Sequence, residues 1–193
     1  MSEDAAERQS RWRRMVHRLE RDYRCLPPAE KARIAELSAP LVRLQQSLDR
    51  LFSKADGARI CAACRGACCA KGHNHACLPN LLAYLQQQQA PPQPDFSRTC
   101  PWLGPQGCVH EAGRRPYNCI SFLCDKLEER LAAADVAEFY RLDRALRTCY
   151  QAFVARYPGG GMTGLLLQSA RLDGRSLLFF HSATTDDRAQ EPV

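Results

Sequence analysis

The sequence predicts a mainly α-helical protein whose helices pack around an irregular, cysteine-rich metal-binding centre. Two observations carry this expectation. Stretches on either side of the middle of the chain repeat apolar residues at helical spacing, and the middle, residues 58–124, holds nine of the 11 cysteines. At 193 residues the chain fits one compact domain. It divides into an N-terminal helical region (1–57), the cysteine region (58–124), a C-terminal helix with a small β-hairpin (125–183) and a disordered tail (184–193).

From Glu7 to Arg24 the chain is highly charged, with Trp12, Met15, Val16 and Leu19 on roughly one face. The Leu26-Pro27-Pro28 break ends this helix, and Pro28 suits the first turn of a second one. There Ile34, Leu37, Leu41, Leu44, Leu48 and Leu51 recur at spacings of three and four. Pro40 falls inside the pattern and is expected to kink or split the helix. Asp56-Gly57 stops it. In the cysteine region Leu78–Leu85 reads as a short helix and Gln86–Pro94 as its end and a loop. Few large aliphatics occur there, so something other than apolar burial is expected to hold that region together. Helix resumes after Cys124, with Val136, Phe139, Tyr140, Leu142, Leu146, Tyr150, Phe153 and Val154 forming a broad apolar face. Tyr157-Pro158 and the following glycines end it. Asp173-Gly174 between two apolar runs signals a hairpin, with helix over 164–172 as the alternative.

Charge and apolar length exclude several classes. A net charge of +6 is mildly basic and points to no particular partner. The arginine-rich first helix has acids interleaved and lacks the dense basic stripe with aromatics that nucleic-acid binding wants. No stretch approaches a membrane span, and the N-terminus has no apolar signal-peptide core. The expected compartment is therefore the cytoplasm. Structural disulfides are disfavoured there, and clustered cysteines point to metal or redox chemistry.

The cysteines form two groups: Cys61-x2-Cys64-x3-Cys68-Cys69, and Cys100-x7-Cys108-x10-Cys119-x4-Cys124, with Cys77 between them. A C-x2-C turn lets two thiolates converge on one metal while backbone amides face the sulfurs. Adjacent Cys68 and Cys69 point apart in an extended segment, so they suit two centres or one large cluster. Eight cysteines suit two four-cysteine sites, or one cluster with four spare thiols. Five basic residues against two acidic ones between 61 and 124 would offset thiolate charge. His75 is the best alternative ligand; His73 and His110 read as solvated or supporting residues. Cys25 and Cys149, on helices away from the groups, read as packing residues. Arg115 reads as a loop tie or a compensator of thiolate charge rather than part of a basic patch with Arg114. Trp102 reads as a lid over the cysteine loop.

Taken in order, Cys61-Ala-Ala-Cys64-Arg-Gly-Ala-Cys68-Cys69, Cys100-Pro101-Trp102-Leu103, Gly107-Cys108, and Arg115-Pro116 followed by Cys119 resemble the YkgJ-type cysteine-cluster family, also described as zinc- or iron-chelating domains. The resemblance covers residues 61–124, about a third of the chain. It implies a small bacterial metal-binding protein holding an iron–sulfur cluster or zinc, with Cys61, Cys64, Cys68, Cys69, Cys100, Cys108 and Cys119 as ligands. Cys124 joins them by position. The cysteine-only set and the resemblance favour an iron–sulfur cluster used for electron transfer, cluster handling or redox sensing. The alternatives are a structural zinc module with a protein partner on the flanking helices, and a thiol redox protein. No phosphate-binding loop, dinucleotide fingerprint or H-E-x-x-H motif marks an enzyme.

Overall fold

The computed structural model describes residues 3–64, 75–162 and 164–179. Cys68, Cys69, His73 and the 184–193 tail lie outside them, as do the expectations placed on those residues. The described chain is mainly helical: α1 (Glu3–Cys25), α2 (Pro28–Lys54), α3 (Gly57–Ala63), α4 (Leu78–Leu85), α5 (Tyr117–Ile120), α6 (Asp125–Glu128), α7 (Ala133–Arg156) and α8 (Leu165–Arg171). A two-stranded antiparallel hairpin, β1 (Leu103–Gly104) with β2 (Gly107–Cys108), is the one sheet among the described residues.

The core lies where the apolar faces of α1, α2, α7 and α8 meet α4. Trp12, Met15, Val16 and Leu19 of α1 are all buried, as their spacing requires. On α2 the buried face is Ile34, Ser38, Leu41, Gln45 and Leu48; on α7 it is Phe139, Leu142, Leu146, Tyr150 and Phe153. These two helices share the most extensive interface in the fold. Lys54 reaches Asp135 at 2.5 Å across it, and Tyr157 donates to Glu30 at 2.7 Å at its other end. Glu30 also pairs with Arg156.

Four sequence expectations are corrected. First, α2 is not split at Pro40 but continues as one helix from Pro28 to Lys54. The lost hydrogen bond is outweighed by Ile34 before it and Leu41 and Leu48 after it, all seated in one core. Second, helix does not run straight on from Cys124: α6 is a separate turn, and α7 starts only at Ala133. Third, the C-terminal segment forms α8 rather than a hairpin. Asp173 and Gly174 do turn with positive φ of 43° and 83°, as a tight hairpin turn demands. However, Leu165, Leu166 and Leu172 bury at helical spacing against the core, and among the described residues no strands flank the turn. Fourth, apolar burial does hold the cysteine region. Leu78, Leu81 and Leu82 of α4 are fully buried, and Phe96, Trp102, Tyr117 and Ile120 join the same cluster.

Candidate metal centre

Each cysteine outside the first group is positioned by one of these anchors. The buried helix α4 begins at Cys77, whose backbone N–H donates to Asn80 Oδ1 at 3.2 Å. Asn80 Nδ2 in turn donates to the Arg115 carbonyl at 2.8 Å, and Gln45 Nε2 donates to the same oxygen at 2.7 Å. Both amides also reach the Tyr150 hydroxyl, at 3.2 and 3.3 Å. These interlocking hydrogen bonds make the buried knot rigid. It fixes the Arg115-Pro116 segment that opens α5, and α5 carries Cys119. Cys100 precedes the hairpin and Cys108 sits on β2, where Cys108 pairs with Leu103. Cys124 stands immediately before α6.

The first group hangs on α3. Asp56 adopts φ 58°, and Gly57 starts the new helix against the Phe52 ring. A Cβ at Gly57 would clash with that ring. This close approach turns the chain, and Cys61 and Phe52 line the same cleft. Cys64 ends the helix, its thiol donating to the Cys61 carbonyl at 3.2 Å.

Two neighbourhoods result. One is a cleft of about 330 Å³ whose walls include Phe52, Cys61, His75, Cys119, Phe122 and Cys124. Within it, His75 Nδ1 lies 3.3 Å from Cys119 Sγ. The other lies deeper: Cys77, Cys100 and Cys108 are close enough to Cys119 for their charges to act on it. Cys119 therefore joins both. Burial pushes its thiol well above the usual range, and Cys108, Cys100 and Cys77 as thiolates push the same way, while the Arg115 guanidinium opposes them. Burial likewise raises Cys108, against a hydrogen bond from the His110 backbone N–H and the charge of Arg115. Cys77 is pushed up to about 12 by burial, and its thiol donates to the His75 carbonyl at 3.0 Å.

Among the described residues all nine cysteines are free thiols. Also among them, no group of three His, Cys, Asp or Glu side chains is arranged to hold a metal ion as it stands. The chemistry of the donor set nevertheless fits a soft or borderline cation. Crowded, buried thiols cannot ionise together without a positive charge among them, and a thiolate-binding metal supplies it.

Several neighbouring residues have roles other than those expected. Arg114 is buried, its guanidinium over the Tyr84 ring at 4.3 Å and hydrogen-bonded to Gln87 and Gln89. Arg115 pairs with Asp49 at 2.7 Å and stacks on Phe52 at 4.8 Å. Neither belongs to a surface patch, as expected of Arg115, whose side chain ties its loop to α2 through the Asp49 carboxylate. Trp102 is a core residue, with its ring 5.1 Å from Trp12 and 4.6 Å from His110, and is not a lid. His110 is buried, which excludes the solvated reading and leaves the supporting one, with its backbone N–H on Cys108. Cys149 is half-buried against the core as expected, whereas Cys25 is exposed at the end of α1, outside the core cluster. The Gln45–Asn80–Tyr150 knot was not anticipated; its sequence signal is a glutamine standing on the apolar stripe of α2 between Leu41 and Leu48.

No helix of the described chain is long and apolar enough to cross a membrane. No family model matches the chain, and no curated protein or solved structure matches it significantly.

Proposed function

We propose that this is a cytoplasmic metal-binding protein, carrying an iron–sulfur cluster on cysteine thiolates for electron transfer, cluster handling or redox sensing. The ligands are drawn from Cys61, Cys64, Cys68, Cys69, Cys100, Cys108, Cys119 and Cys124. The observation that carries the reading is Cys119: its sulfur sits beside His75 in the cleft of Cys61 and Cys124, and within electrostatic reach of Cys100 and Cys108. Cys68 and Cys69 enter from the motif resemblance alone. A bound cluster would supply one-electron redox chemistry. The chain's own part is to crowd thiols in a buried site, to aim the His110 N–H at Cys108, and to hold Arg115 close enough to offset thiolate charge.

A structural zinc module with a protein partner is the second reading. The 3.3 Å approach of His75 to Cys119 favours it, because mixed cysteine–histidine sets suit zinc. A thiol redox role is less well supported. It needs a thiol of lowered pKa, and burial raises Cys77, Cys108 and Cys119.

Metal analysis and an absorption spectrum on protein purified anaerobically, without a chelating tag, test the proposal. Iron with acid-labile sulfide and a broad visible band is the expected result. Stoichiometric zinc with no visible band replaces the cluster with the zinc module. Protein free of both metals, with reactive thiols, overturns metal binding.

A further inference from the structure

A second site lies on the side of α1 that faces α8. Arg11, Arg14 and Arg18 stand three and four residues apart, so they share one face of α1. With Met15 they form one wall of a cleft of about 170 Å³, and Leu166 and Ser169 of α8 form the other. Arg11 and Arg18 are half-buried. On the same helix Arg8 pairs with Asp4 at 2.9 Å and Arg21 lies 3.8 Å from Asp22, while exposed Arg13 and Arg24 have no ion pair among the described residues. Asp22 itself accepts from Ser176 at 2.8 Å. Among the described residues the three cleft arginines have no carboxylate partner; Arg14 donates only to Ser10 Oγ, at 2.6 Å. Like charges at these spacings repel along a helix. Folding has nonetheless gathered three guanidiniums, a serine hydroxyl and an apolar floor into one concavity.

From this we infer that the α1–α8 cleft binds a phosphate group. Guanidinium forks match phosphate oxygens in geometry and charge, and three of them neutralise a phosphate dianion while relieving their own repulsion. The cleft is smaller than the roughly 300–1,000 Å³ of pockets that enclose a drug-sized ligand. It therefore takes inorganic phosphate or the head of a small phosphomonoester, not a whole nucleotide. Buried Met15 and Leu166 would underlie the carbon end of a monoester. The site is separate from the cysteine cleft, with which it shares no residue.

Calorimetric titration of the full chain, at low ionic strength, with inorganic phosphate and separately with glycerol 3-phosphate tests the inference. Saturable binding at one site per chain is expected. The double substitution Arg14→Gln and Arg18→Gln should weaken it about tenfold or more, the loss expected for charge-assisted hydrogen bonds. Arg13→Gln, at an exposed position of α1 outside the cleft, should leave it within twofold of wild type, about the weak effect of one exposed charge. Tighter binding of the monoester identifies an organic phosphate as the ligand, and tighter binding of inorganic phosphate identifies the free ion. The inference fails if neither probe saturates, if the double variant binds as the wild type does, or if Arg13→Gln weakens binding as much as the double variant. The last result would mean diffuse attraction to a basic helix. Helical circular dichroism of each variant separates loss of binding from loss of fold.

Discussion

His110 is 2 % exposed, and its Nε2 has no hydrogen-bond partner among the described residues. Trp102 and Tyr84 flank the ring, with the Tyr84 hydroxyl 3.4 Å from Nδ1. Burial, aided by the charge of Arg115, drives the imidazole pKa down from 6.5 to about 3. The sign of the linkage follows. Below pH 6.5 the unfolded chain takes up a proton that the folded chain refuses until about pH 3. Stability is thus full above 6.5 and falls as pH drops, by at most about 1.4 kcal/mol per unit. Glu30 also loses stabilisation in acid. Burial raises its pKa, but the Tyr157 hydrogen bond and Arg156 outweigh burial and hold it below 4.5, so its loss begins lower. Between pH 6.5 and 5 the slope should therefore belong mainly to His110. Urea unfolding at pH 7, 6 and 5 should show a falling midpoint in the wild type and a flatter course in His110→Phe, which keeps a ring against Trp102. Parallel courses would refute the assignment. The burial of this histidine was not legible in the sequence, where it stands in a short polar run after Cys108. It is decided by contact with Tyr84, far away in the chain, and with Trp102, which itself packs on the distant Trp12.

At the scale of elements, the joint between α2 and α3 decides where the first cysteine group sits. Gly57 is the one residue type that lets α3 start against Phe52, and Phe52 carries Arg115 on its other contacts. Gly57→Ala must push the ring away, and overpacking of this kind costs about 1–3 kcal/mol. Because Phe52 also lines the cysteine cleft, the variant should lose metal occupancy as well as thermal stability. Unchanged stability and occupancy would show that Phe52 swings aside freely. The long elements were legible because period decides them: the buried faces of α1, α2 and α7 follow the apolar stripes, except that Tyr140, placed on the α7 stripe, is exposed. The short ones were less so. Around Asp173-Gly174 the local turn chemistry is that of a hairpin, yet a strand there would have no sheet to join, and the core accepts a helix instead. Pro40 misleads in the same way, since a local rule yields to burial on both sides of it. In the site, the spacing of the second cysteine group was legible as a cluster, but its division into a cleft and a deeper set was not. That division comes from α4 and the hairpin, whose packing no motif encodes.

For the whole molecule, the question is whether the metal makes the fold or uses it. In small metal domains that fold only on loading, the binding energy, about 10–16 kcal/mol, is the folding energy. That matches or exceeds the whole stability of an ordinary domain, about 5–15 kcal/mol. Here one apolar cluster runs from Trp12 and Leu19 through Ile34, Leu48, Leu81 and Leu146 to Phe153 and Leu178. It also takes in Cys77, Cys100, Trp102 and Tyr117 from the cysteine region. Apolar burial thus anchors these described parts of the region. What lacks such anchorage is the cleft side: α3 buries only Gly57, and α6 only Leu127. Removing metal with a chelator under reducing conditions should accordingly leave most of the far-ultraviolet helical signal in place. Amide exchange should quicken in 57–64 and 119–128 while the protected cores of α2, α4 and α7 stay slow. Cooperative loss of the whole helical signal on chelation would instead make the protein a metal-dependent fold, with its apolar cluster insufficient alone.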